Sequence, residues 1–224
     1  MSHLNGPFLA PRSGKAKQLV IFLHGYGANG DDLLSIGDEW AGELPDAAFV
    51  SPNAPDVCEM SPMGFQWFTI RALSGSIDKA ALDRKDLIAR PAAALNEFID
   101  AQLKKWGVDE SSLAVVGFSQ GALMAMYTTP RRKKPCAGII GYSGLLADAA
   151  GLKAPGIVKM PVLAIHGDAD GVVPPAFLDD VRKGFEEAGF DIETVMRPRL
   201  GHGIDEFGLT RGLSFLQEVF EKQV

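Results

Sequence analysis

The sequence predicts an α/β fold built on a mostly parallel central sheet with helices on both faces. Two patterns carry that expectation. Short runs rich in Val, Ile and Leu alternate with longer amphipathic segments, the rhythm of strands joined by crossover helices. Most of the short runs also lack polar–apolar alternation, as strands covered on both faces do. No internal repeat and no low-complexity segment interrupts the pattern.

Each element can be justified in turn. Gln18–His24 contains Leu19–Leu23, the longest uninterrupted aliphatic or aromatic stretch, and reads as the first strand. Its Gly-rich exit leads to Asp31–Leu44, where Leu33, Leu34, Gly37, Trp40 and Ala41 share one side of a helix. Ala47–Ser51 is the next strand. Pro52–Asp83 mixes Pro, Gly, Ser, Met and aromatics without a period, and reads as a long loop with room for one short element. Loops of that length in a compact domain are usually functional or mobile.

Asp86–Trp106 places Ile88, Ala92, Leu95, Ile99 and Leu103 at helical spacing, with Pro91 expected to kink or restart it. The strand Ser112–Gly117 runs directly into the helix Ser119–Thr129. The basic run Arg131–Lys134 reads as a solvated connection, its cations near a helix C-terminus. Ala137–Tyr142, Val162–His166 and Ile192–Arg197 complete the strands. Pro175–Ala188 starts with Pro and stops before Gly189, as a helix does. The last helix, Ile204–Glu221, repeats Leu209, Leu213, Leu216 and Phe220.

Composition bounds the function. The chain has 224 residues, of which 46% are hydrophobic and 22% charged, which suits one folded domain spanning 1–224. A net charge of −6 argues against a nucleic-acid partner or an anionic membrane surface. No apolar run approaches the length needed for stable membrane insertion. Cys58 and Cys136 lack CxxC spacing and a neighbouring His, so neither a zinc site nor a disulfide framework is expected. The first residues lack the long apolar core of a secretory signal, and cytoplasmic residence is the expectation.

The chemistry centres on Gly117-Phe118-Ser119-Gln120-Gly121. In a GxSxG string between strand and helix, a sharp turn holds the Ser in a strained conformation with its hydroxyl exposed at the sheet edge. A nucleophilic Ser needs a base, and the base needs a partner to orient it. Of His3, His24, His166 and His202, the last lies in a loop between the final strand and final helix, which returns to the same sheet edge. The acid is expected between them, after a strand, where His166-Gly167-Asp168-Ala169-Asp170 supplies two candidates. Asp170 is the choice because it lies further along the loop. Asp168 reads as a turn former bonded to its own backbone. Ser119, Asp170 and His202 then follow the chain order of an α/β-hydrolase.

Two other strings compete. His166, Asp168 and Asp170 form H-x-D-x-D, but no further His or Cys cluster supports a metal. Gly25-Tyr26-Gly27-Ala28-Asn29-Gly30 matches a dinucleotide fingerprint. The next strand, however, ends without an acid for a ribose, and Asp31-Asp32 would repel a pyrophosphate. The turn is better read as an oxyanion loop, with the backbone N–H groups of Tyr26 and Gln120 as the two donors.

Taken together, HGYGANGDD, SPNAP, the QWF string at Gln66–Phe68, GFSQG, HGDADGVVP and GHGI resemble the carboxylesterase/phospholipase family of α/β-hydrolases, which includes acyl-protein thioesterases and small bacterial esterases. The similarity runs from about Gly6 to Phe220. It implies a minimal α/β-hydrolase fold without a cap domain, and it supports Asp170 as the triad acid and Tyr26 and Gln120 as oxyanion donors. It also places Trp67 and its loop beside an acyl groove, with Phe68 and Val173 as further substrate-binding candidates. Phe68-Thr69 stands where members often have Phe-Asp, so no role carries over for that acid.

The expected activity is hydrolysis of short to medium acyl esters through an acyl-serine, with no cofactor and no metal. Activity is expected to fall in acid as His202 takes up a proton. A lysophospholipid or S-acylated protein is the alternative substrate that the resemblance implies. A reading of another class is a ligand-binding module on a hydrolase fold with a dead site. The apolar long loop could also pair two subunits as a homodimer.

Overall fold

The computed structural model describes residues 4–70 and 85–222. In chain order the elements are β1 (Phe8–Leu9), β2 (Gln18–Leu23), α1 (Gly30–Trp40), β3 (Ala47–Val50), β4 (Asp56–Val57), β5 (Phe65–Gln66), α2 (Lys85–Trp106), β6 (Leu113–Phe118), α3 (Gln120–Thr128), β7 (Gly138–Tyr142), β8 (Val162–Gly167), α4 (Phe177–Glu187), β9 (Ile192–Arg197) and α5 (Glu206–Glu221). Seven strands form one sheet in the order β1-β3-β2-β6-β7-β8-β9. Only β1 is antiparallel; the other six run parallel.

The apolar runs do alternate, but between two cores. Leu19, Ile21 and Leu23 of β2 point to one face and pack with Leu95 and Ile99 of α2, Leu123 of α3 and Phe185 of α4. Val20 and Phe22 point to the other face, with Ile36 and Trp40 of α1 and Phe215 and Val219 of α5. Both faces are apolar, so the period of two is invisible in the letters. Each such side chain, fully buried, contributes about 1.5–3 kcal/mol.

Two expectations need correction. Pro91 does not restart its helix: α2 runs over Lys85–Trp106 as one element with Pro91 buried. Proline removes one hydrogen bond, and here that loss leaves the helix intact while its ring joins the apolar side. The basic run is not simply solvated. The Arg132 side chain is buried, donating to Asn96 Oδ1 at 2.9 Å and Asp100 Oδ1 at 2.7 Å, while Arg131 pairs with Asp148 at 2.8 Å. Both cations fasten the end of α3 to neighbouring elements. The long loop also holds a small antiparallel ladder, with Asp56 opposite Gln66 and Val57 opposite Phe65. Its part from residue 71 to Asp83 lies outside the described residues.

Because β2, β6, β8 and β9 are parallel, their C-terminal ends open on one edge. The loops after them carry Tyr26, Ser119, Asp170 and His202, respectively.

Candidate active site

Ser119 occupies the turn between β6 and α3 with φ 55° and ψ −117°, a backbone conformation that L-residues rarely adopt and that costs of order 1–3 kcal/mol. Its neighbours show why the motif requires glycine. A Cβ on Gly121 would overlap the Leu23 carbonyl of β2, and one on Gly117 would overlap the Gly121 backbone. The strand-to-helix turn closes only without those atoms.

Ser119 meets the other predicted triad residues. Its hydroxyl donates to His202 Nε2 at 3.0 Å, and His202 Nδ1–H donates to Asp170 Oδ2 at 2.7 Å. A carboxylate can only accept, which puts the ring proton on Nδ1 and leaves Nε2 as the acceptor. Asp170 Oδ1 accepts the amides of Val172 at 2.8 Å and Val173 at 2.9 Å. Burial pushes the Asp170 carboxyl up. The hydrogen bonds from His202, Val173 and Val172, with the His202 charge, outweigh it, and the net direction is down. Phe118 packs against His202 with ring centres 4.8 Å apart and planes tilted by 46°.

The Gly25–Tyr26 turn lies against the Ser: a Cβ on Gly25 would stand 3.5 Å from Ser119 Cβ. His24, fully buried, braces it. Ala54 N–H donates to His24 Nε2 at 3.0 Å, so Nδ1 carries the proton and donates to the Gly25 carbonyl at 2.7 Å. Burial drives the His24 imidazole below its ordinary range, against that hydrogen bond and the pull of Asp32. The Gly27 amide donates to Phe65, and the Phe65 amide to Ala28, tying the turn to the long loop. Gln120 begins α3, where a helix leaves its first amides without internal acceptors.

The substrate-binding candidates sit differently from the expectation. Trp67 is 0% and Val173 2% exposed, and Phe68 is buried; none offers its side chain to an open groove. Trp67 instead donates from Nε1 to the His24 carbonyl at 3.0 Å, while Val173 holds Asp170 through its amide. Among the described residues of these loops, Val57, Met60, Met63, Ile70 and Val172 are the exposed apolar ones. Asp168 does not bond its own turn; its Oδ1 accepts the Arg199 amide at 2.6 Å. Sequence reasoning missed the Gln120 side chain, whose Oε1 accepts the Trp67 amide and whose Nε2 donates to the Phe68 carbonyl, both at 2.8 Å. A polar side chain in the otherwise apolar start of a buried helix was its only signal.

A Ser–His–carboxylate chain at the carboxyl edge of this sheet, with no separate cap domain among the described residues, defines a serine-type α/β-hydrolase. Similarity to known proteins narrows the class. The family model described as Phospholipase/Carboxylesterase matches residues 4–220. The crystal structure of esterase PE8 superposes with a TM-score of 0.92 at 37% identity, covering 97% of this chain and 100% of that one. Acyl-protein thioesterase 1 of Mycosarcoma maydis is 30% identical with 100% of both chains covered. Esterase YpfH of Escherichia coli is 27% identical, covering 92% of this chain and 85% of the relative. The chain belongs to the phospholipase/carboxylesterase family, and it is an ester hydrolase.

Proposed function

We propose that the protein hydrolyses carboxylic esters of short to medium acyl chain, with Ser119 as nucleophile, His202 as base and Asp170 as the group that orients it. The observation that carries this reading is the hydrogen-bonded chain from Ser119 through His202 to Asp170, at 3.0 and 2.7 Å. In the first half-reaction Ser119 Oγ bonds to the ester carbonyl carbon while His202 Nε2 takes the hydroxyl proton. The oxygen that becomes negative is met by the Tyr26 and Gln120 amides. Collapse breaks the bond to the alcohol oxygen, which receives the proton from Nε2. Water then repeats the sequence on the acyl-serine, and the carboxylic acid leaves as Ser119 regains its proton.

A lysophospholipid or an S-acylated protein is the second reading. It is favoured by relatives named acyl-protein thioesterase 1 and by exposed Val57, Met60 and Met63, a surface suited to a longer chain. Cys58 and Cys136 are free thiols, compatible with a cytoplasmic setting. Among the described residues no helix is long and apolar enough to cross a membrane.

Hydrolysis of p-nitrophenyl esters from acetyl to palmitoyl, wild type against Ser119→Ala, tests both readings. Ser119-dependent turnover that peaks at short or medium chains is expected. A peak at long chains moves the assignment to the second reading. A folded protein that turns over none of them and resists a fluorophosphonate probe would leave the binding-module reading.

A further inference from the structure

His166 is a buried imidazole with no part in the chemistry above, yet it touches the proposed triad. It is the next-to-last residue of β8 and is 1% exposed. Its Nε2 lies 3.0 Å from the Val173 carbonyl oxygen and 3.3 Å from Asp170 Oδ2. A carbonyl only accepts, so Nε2 bears the proton and donates it to Val173, with the Asp170 carboxylate lying beside the same N–H.

We propose that His166 is a positioning residue for the triad, fixing the Asp170 carboxylate so that Oδ2 meets His202. The assignment rests on the reading of Ser119, His202 and Asp170 given above. An ionised carboxylate offers about four acceptor sites; three take hydrogen bonds here, and the His166 imidazole lies against the carboxylate as well. Oδ1 takes the Val172 and Val173 amides and Oδ2 takes His202 Nδ1–H, while His166 Nε2 stands 3.3 Å from Oδ2 as a close polar contact. The Asp170 side chain is 0% exposed, so bulk water has no access to replace a missing donor. His166 also grips the carbonyl of Val173, whose amide holds the other oxygen. One imidazole thereby fixes both the carboxylate and the loop that cradles it.

The other charged groups of these elements are engaged elsewhere. Asp168 takes the Arg199 amide, Arg197 pairs with Asp205 at 2.9 Å, and His202 is the second cation-forming group on Asp170. Removing the His166 imidazole takes a polar N–H from beside Oδ2 and releases the Val173 carbonyl, which leaves Asp170 a stronger base. It then holds the protonated form of His202 more tightly, in a less defined geometry.

The test compares His166→Leu, His166→Gln and His166→Asn with wild type, per folded molecule, on one p-nitrophenyl ester across pH. Ser119→Ala and Asp170→Asn serve as controls. In His166→Leu, kcat is expected to fall roughly 10- to 100-fold, the range for leaving a buried acceptor without its partner. KM should change by less than about twofold, as for an interaction made at the reacting groups alone. The acid limb of kcat/KM should move to higher pH. Gln, whose amide nitrogen reaches the place of Nε2, should restore most of kcat and return the limb. Asn, one carbon shorter, should not, and that contrast survives even if the Leu variant fails to fold. Equal kcat and an unmoved acid limb in the Gln and Asn variants would overturn the proposal. Wild-type turnover by Ser119→Ala would instead overturn the triad reading, and this assignment with it.

Discussion

The side chain of Gln120 grips the backbone of Trp67: its Oε1 accepts the Trp67 amide at 2.8 Å while its Nε2 donates to the Phe68 carbonyl at the same distance. The residue after the proposed nucleophile therefore anchors the long loop with its side chain, while its own amide is the one proposed for the oxyanion. Trp67 passes the support on through the His24 carbonyl to the Gly25–Tyr26 turn. The proposed oxyanion donors come from segments far apart in the chain and are joined by these bonds.

Gln120→Ala leaves a buried amide and carbonyl without partners, at a cost of about 1–3 kcal/mol. In a domain of this size, the melting midpoint should fall by about 2–10 °C. Turnover should fall with it as the oxyanion loop loosens. Gln120→Glu should lose more, because a carboxylate cannot donate to the Phe68 carbonyl. Calorimetry with ester kinetics checks both, and wild-type values for the Glu variant would contradict the grip.

Ser119 sits at φ 55°, and the strain should be measurable. Ser119→Ala keeps it and Ser119→Gly releases it, although glycine costs about 0.5–1 kcal/mol through its freer unfolded chain. The Gly variant is expected to be at least as stable as the Ala variant in urea titrations, with both inactive. A Gly variant less stable by about 1 kcal/mol or more would show that the turn is unstrained.

Asp168→Ala removes the acceptor for the Arg199 amide, and Arg199 itself holds φ 62° in the loop that carries His202. We expect kcat to drop severalfold with little change in KM, and Asp168→Asn, which keeps an acceptor oxygen, to recover much of it. Steady-state kinetics decides; an Ala variant equal to wild type would leave Asp168 no role in placing the loop.

Acid should weaken the fold. The carboxyls of Asp170, Asp148 and Asp205 are all held below their ordinary value. In each, burial acts upward but yields to hydrogen bonds and opposite charge: His202 at Asp170, Lys85 and Arg131 at Asp148, and the Gly208 amide with Arg197 at Asp205. A carboxylate whose folded value lies below its unfolded one stabilises the fold above the unfolded value. That contribution disappears as pH falls through the folded value. The melting midpoint should be level down to about pH 5 and decline below about pH 4, less steeply in Asp170→Asn. A midpoint that rises on acidification would contradict this assignment.

Burial raises the Cys136 thiol to about 12, against weaker pulls from the Gly138 backbone and the Arg132 charge. Since the thiolate is the reactive form, native Cys136 should resist a thiol reagent at pH 8 and react on unfolding. Mass spectrometry of the labelled peptide reads this directly, and rapid native labelling would refute it.

The six predicted strands and five predicted helices lie within a few residues of the observed ones, because buried apolar runs and helical spacing are local signals. Ser119, Asp170 and His202 were legible for a related reason. A parallel sheet brings the loops after its strands to one edge, so chain order alone put them together. The ladders at Phe8–Leu9 and Asp56–Val57 with Phe65–Gln66 were not legible, since two-residue strands are made by their partners. Nor were the inward turn of Trp67, the placement of Arg132, the Gln120 grip or the His166 contact. By itself the sequence determined the layers, the nucleophile turn and the triad candidates, all set by periodicity and local backbone demands. Only the tertiary structure decided which polar atoms meet in the interior. Buried donors and acceptors must find partners, and those partners, 53 positions apart for Gln120 and Trp67, are chosen by packing rather than by spacing.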